Sequence, residues 1–264
     1  MDHATALALL DWQIELGATE AIGDVPVNRF EVAEQAARPA HEAPAPDAPA
    51  AAEPPGATAA IPAADPVAEA RALAAQAETL EALRLALASY EHCDLRLGAR
   101  NLVFADGTPG ARVMVIGEAP GRDEDLEGRP FVGKAGKLLD AMFAAIGMGR
   151  ERPEPESALY ITNVLPWRPP QNRDPEPAEI AMMLPFLTRH VELAAPDVLI
   201  LMGNHACQAL LGRKGITRMR GQWAEALNRP ALPMFHPAYL LRNPAAKREA
   251  WADLLALQHR LRES

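Results

Sequence analysis

Two cysteines in 264 residues, Cys93 and Cys207, exclude a disulfide framework and a four-thiolate metal site. No apolar run reaches the roughly 18 residues that a membrane span needs, so neither a transmembrane helix nor a membrane partner is expected. The first residues, Met1-Asp-His-Ala-Thr-Ala-Leu-Ala-Leu-Leu, lack the basic stretch of a signal peptide, which makes a cytoplasmic location the expectation. No Gly-Lys-Ser/Thr sequence occurs, and no glycine pattern carries the spaced acidic residue of a dinucleotide site. Positive charge is also scarce, with a net charge of −9. That deficit is local, because residues 1–89 hold 14 acidic and 4 basic side chains whereas the rest hold 21 and 22. A near-neutral domain with clustered arginines can still bind a phosphate backbone if the clusters face it.

The acidic third has its own organisation. Leu7, Leu10 and Ile14 recur at helical spacing within residues 4–22. From about residue 36 to 66, alanine and proline make up about two-thirds of the chain, a composition that buries too little to offset its ordering entropy. The expected division is an N-terminal helical segment over 1–30, a disordered linker over 31–66 and a catalytic domain over 67–264. Asp65-Pro66 supplies a cap and a first-turn proline for a helix continuing through Leu73, Leu80, Leu83 and Leu87 to about Ser89.

Within the last two-thirds, strand candidates at 112–116, 159–164, 198–202 and 232–235 alternate with helical patterns at 134–147, 176–193, 204–212 and 244–262. This alternation predicts an α/β fold, a three-layer α/β/α sandwich with a four-stranded, mainly parallel sheet. Between the first strand and its helix runs Gly117-Glu-Ala-Pro-Gly-Arg-Asp-Glu-Asp-Leu-Glu-Gly-Arg-Pro-Phe-Val-Gly-Lys-Ala-Gly136. A strand-to-helix loop is where α/β sheets hold ligands, and its glycines allow close backbone approach. It carries several carboxylates and one aromatic, Phe131, expected to be exposed. A second segment, Tyr160-Ile-Thr-Asn-Val-Leu-Pro-Trp-Arg-Pro-Pro-Gln-Asn-Arg173, places Asn163 at a strand end on the same sheet edge. A third, Met234-Phe-His-Pro-Ala-Tyr-Leu-Leu-Arg242, follows the last strand, and a basic loop at 212–221 lies between them.

The order Gly117-Glu-Ala-Pro-Gly121, Glu124-Asp125, Gly128-Arg-Pro-Phe-Val-Gly133 resembles the first motif of the family 4 uracil-DNA glycosylases. The blocks around Asn163 and His236 resemble the family's other signatures, and the likeness spans roughly residues 103–250. It implies the uracil-DNA glycosylase fold and the hydrolysis of uracil from uracil-containing DNA, single- or double-stranded, by a monomer that starts base excision repair. It further implies that Gly117 and Ala119 shape the base pocket and that Phe131 stacks on the flipped base. Asn163 would read uracil's 4-oxo and imino edge, since an amide offers a donor beside an acceptor. His236 would donate to the 2-oxo oxygen as the base leaves. Leu240 or Leu241 would wedge into the vacated stack, unless they are core contacts of a helix start, and Arg220 and Arg242 would contact DNA.

The chain also departs from this family. The four cysteines that hold a [4Fe–4S] cluster there fall on Tyr90, Cys93, Trp167 and Met183, so no iron–sulfur cofactor and no metal is expected. The glutamine and the basic, histidine-bearing insert of the covalently trapping branch are missing, which favours turnover. Ala119 stands where many other uracil glycosylases have a water-activating aspartate. Glu118 then becomes the candidate for positioning water or stabilising the sugar cation, and Glu124 for supporting the pocket. Two alternatives stay open: a non-catalytic binder of uracil or abasic DNA, and a glycosylase for other deaminated bases such as hypoxanthine or xanthine.

Overall fold

The structure, a computed structural model, describes residues 65–263; the segment expected to be helical at 4–22 and nearly all of the linker lie outside the described residues. The chain enters through α1 (Pro66–Gln76), where the Asp65 carboxylate accepts from the amides of Val67 and Ala68. The single helix expected to run on to Ser89 is two. Ala77 turns extended, Thr79 caps a second start, and α2 spans Leu80–Ser89. The leucine spacing continues across this break, so apolar periodicity alone hides it.

After the short α3 (Leu95–Gly98) come β1 (Asp106–Gly107), β2 (Val113–Gly117), α4 (Arg122–Glu127) and α5 (Lys134–Ala144). β3 (Leu159–Asn163) leads to α6 (Pro177–Ala194), and β4 (Val198–Met202) to α7 (Gly203–Leu211) and α8 (Ile216–Met219). β5 (Ala224–Ala226), β6 (Arg229–Met234), α9 (Pro237–Arg242) and α10 (Lys247–Glu263) complete the order. Among the described residues, no helix is long and apolar enough to cross a membrane.

The sheet has six strands in the order β1-β3-β2-β4-β6-β5. The four expected strands form its parallel centre. The four-strand expectation is corrected at both margins, where β1 pairs antiparallel with β3 and β5 with β6. Two or three residues are too few to show an alternating pattern, so these margins left no signal. The central strands are buried on both faces and split their side chains by the period of two. Met114, Ile116, Leu199 and Leu201 join the core under α1, α2, α6 and α7. Val113, Val115, Val198 and Ile200 join the core under α5 and α10, with Leu139, Phe143 and Leu254. The three-layer reading therefore holds.

β2 lies between β3 and β4, so the chain reverses its direction of travel across the sheet at β2. At such a switch point, the loops leaving neighbouring strand ends separate and open a crevice.

Candidate functional site

Four strand ends meet at that crevice. Gly117 closes β2, Asn163 closes β3, Gly203 follows β4 and His236 lies two residues past the end of β6. Gly117 and Asn163 are register partners, the last pair of the β2–β3 ladder. The cleft at these strand ends holds about 570 Å³ and is lined by Glu118, Ala119, Asn163, His205 and His236, and by Phe131 from the α4–α5 loop, among others.

Gly117 is glycine for reasons of space. A methyl group there would stand 2.6 and 2.7 Å from two ring atoms of Phe131 and would overlap the Asn163 side-chain oxygen. The missing side chain thus lets an amide and an aromatic ring close on the same strand end. His236 completes the group, its ring stacked at 5.4 Å and 29° against Phe131. Phe131 is only 5% exposed, so the aromatic expected to be exposed is in fact packed, with one ring edge against Gly117 and its face against His236.

The loop reaches this position under restraint. Phe131 adopts φ +54°, a left-handed conformation costly for a side-chain-bearing residue. Its carbonyl occupies the space where a side chain at Gly136 would sit. Arg150, missed in the sequence, clamps it. Its guanidinium donates to the carbonyls of Pro130 and Phe131 at 2.9 Å each, and is itself held by Asp106 and Asp140. Glu124 braces the other side, accepting from the amides of Gly121, Val132 and Gly133 at 3.1, 3.0 and 2.9 Å. Glu124, expected to support the pocket, also lines the cleft.

His236 caps α9, its Nδ1 accepting from the Ala238 amide at 3.2 Å. Burial, reinforced by Arg242, pushes its pKa down to about 4. Near neutral pH the ring is therefore uncharged, and with Nδ1 accepting, its proton sits on Nε2. Gly203, at φ +89°, leaves room for the base of the side chain, because a methyl group there would stand 3.2 Å from His236 Cβ. Burial pushes the Glu118 carboxyl up; His205 lowers it again and Asp174 raises it.

Two expected DNA contacts are corrected. Arg220 is not presented to solvent as a phosphate ligand. It donates to the carboxylate of Asp253 and to the Glu249 carbonyl, pinning α8 to α10. Leu240 is fully buried with Phe235 and Ala250, so it is core. Leu241, 44% exposed, and Arg242, also exposed, face outward at the end of α9.

At the positions that the resemblance gives to cluster cysteines, Tyr90, Cys93, Trp167 and Met183 lie buried in one apolar core. The Tyr90 hydroxyl donates to the Pro66 carbonyl at 2.8 Å and its ring meets Phe186 edge-on. Burial pushes the Cys93 thiol up. One un-ionised thiol among a phenol, an indole and a thioether does not fit a four-thiolate cluster.

The family model "Uracil DNA glycosylase superfamily" matches residues 104–255, which include every residue of the cleft named above. A type-4 uracil-DNA glycosylase of Archaeoglobus fulgidus is 39% identical over 178 residues, covering 63% of this chain and 85% of that protein. Those of Sulfurisphaera tokodaii and Thermotoga maritima are 40% and 41% identical, covering 59% and 57% of this chain and 73% and 77% of theirs. From these matches, and from the strand ends that meet at its cleft, the chain belongs to the uracil-DNA glycosylase superfamily.

Proposed function

We propose that the protein is a monofunctional uracil-DNA glycosylase, and that the convergence of Asn163, Phe131 and His236 around the bare strand end at Gly117 carries the reading. A uracil turned out of the stack enters the cleft and lies against Phe131. Asn163 pairs with its 4-oxo and imino groups, and cytosine, with the reverse pattern, would leave buried polar atoms unmatched at about 1–3 kcal/mol each. The bond between C1′ and N1 breaks with its electron pair on the base. The uncharged His236 then donates from Nε2 to the 2-oxo oxygen, where that charge accumulates. Water adds to C1′ under the guidance of Glu118. Among the described residues no lysine lines the cleft, so no Schiff base forms and the DNA strand stays intact.

Residues 67–264 act as the catalytic domain, as a monomer and without an iron–sulfur cluster, on uracil in single- or double-stranded DNA. Leu241 and Arg242 are the DNA-facing pair. The test is release of free uracil from a single-stranded deoxyuridine oligonucleotide, leaving an alkali-labile abasic site. Tight binding without release would favour the non-catalytic reading, for which the apolar Ala119 beside the strand end is the supporting observation. Release from hypoxanthine- or xanthine-containing DNA in preference to uracil would reassign the base.

A further inference from the structure

His205, in the first turn of α7, brings a second imidazole into the same cleft. Its side chain is 13% exposed, and its Nδ1 is buried with no hydrogen-bond partner. The polar role of the ring therefore falls on Nε2, which faces two carboxylates, Glu118 at 3.8 Å and Asp174 at 3.5 Å. Both separations are too long for a good direct bond and suit a shared water. The three donor atoms all lie within 4.8 Å of one another, around a point open to the cleft. Ala119, next to Glu118, brings no polar group of its own.

We propose that His205 and Asp174 are positioning residues that, together with Glu118, hold and polarise the hydrolytic water. In the step they serve, the water oxygen bonds to C1′ as the C1′–N1 bond breaks with its electron pair on uracil, and one water proton passes to the Glu118 carboxylate. This inference rests on the glycosylase reading.

Glu118 must be ionised to accept that proton, so excision falls as pH drops through its pKa. The charged groups acting on Glu118 are His205, from α7, and Asp174, from the β3–α6 connection. Neighbouring Arg173 is committed to Glu176 and Glu179. His205 and Asp174 act in opposite senses, which separates this role from a purely structural one. The experiment is single-turnover uracil excision against pH for the full chain, for His205→Gln and for Asp174→Asn, with affinity measured on a 2′-fluorinated deoxyuridine oligonucleotide that resists cleavage. His205→Gln should move the acid limb to higher pH and Asp174→Asn to lower pH, with affinity unchanged. Limbs that stay in place, or move together, overturn the proposal. Because Asp174 is 83% exposed, its variant keeps the test alive even if His205→Gln fails to fold. Excision abolished by a chelator and restored by manganese would also overturn it, assigning the three groups to a cation instead. A wild-type protein that releases no uracil at any pH defeats the glycosylase reading itself.

Discussion

Gly117→Ala adds one methyl group at the centre of the cleft, and the structure sets what must follow. Ordinary contact for the new carbon begins at 3.4 Å, whereas the nearest Phe131 ring atom lies 2.6 Å away, so the ring must retreat by about 0.8 Å. The Asn163 oxygen, nearer still, must retreat further. Phe131 cannot yield easily, because its carbonyl is held by Arg150 and abuts Gly136. Asn163 is the end of a fully buried strand. Misplacement of a recognition group by about 1 Å typically costs on the order of a hundredfold in rate. Gly117→Ala should therefore lower kcat/KM for uracil excision by about two orders of magnitude, with a modest loss of thermal stability. Gly98→Ala, where a methyl group meets nothing within 4 Å, is the control. Single-turnover excision and thermal unfolding measured side by side provide the test. A folded Gly117→Ala enzyme within a few-fold of wild type would refute the tight closure of the site.

Three further outcomes are expected. His236→Ala should slow single-turnover excision by about a hundred- to a thousandfold while leaving affinity for uncleavable uracil-containing DNA nearly intact, because in the proposed mechanism the donor acts on charge present chiefly in the transition state. Leu240→Ala should cost about 2–5 kcal/mol in urea unfolding, as a buried truncation, whereas Leu241→Ala should leave stability alone and weaken excision from duplex DNA. Burial holds His190 down to a pKa of about 3, beside the Tyr160 hydroxyl. The unfolded chain therefore takes up a proton there as pH falls below about 6.5, and stability drops progressively towards pH 3. Between pH 7 and 5 this one site should remove about 2 kcal/mol of unfolding free energy, and His190→Gln should flatten the dependence by that amount.

How much of this was legible in the sequence depends on the range of the interaction. Strand–loop–helix grammar, with apolar runs at β2 and β4, puts Gly117 and Asn163 at strand ends on one edge, whereas Asn163 and His236 stand out as site residues through the resemblance of their surrounding motifs to the family. The helix break at Ala77 could not be read, because Thr79 caps a start inside an unbroken apolar period. Nor could the fates of Leu240 and Leu241, since one position on a short helix separates core from solvent. Arg220 read as a phosphate ligand because its partner, Asp253, lies 33 residues away and nothing local announces it. Arg150 and His205 were missed for the same reason: each sits in an unremarkable local sequence and acquires its surroundings only when distant loops meet.

The pairing of Gly117 with Asn163 has a consequence for motion. The ladder runs two rungs beyond the strands, with the amides of Val164 and Leu165 donating to the carbonyls of Gly117 and Glu118 at 3.0 Å each. On the proposed reading, base recognition rests on the terminal rungs of a sheet, where transient opening begins well before the centre yields. Warming should erode activity ahead of global melting, and a bound base should slow amide exchange at Val164 and Leu165 more than at Ile161, three rungs deeper. The sheet end would then act as a latch that the substrate itself fastens.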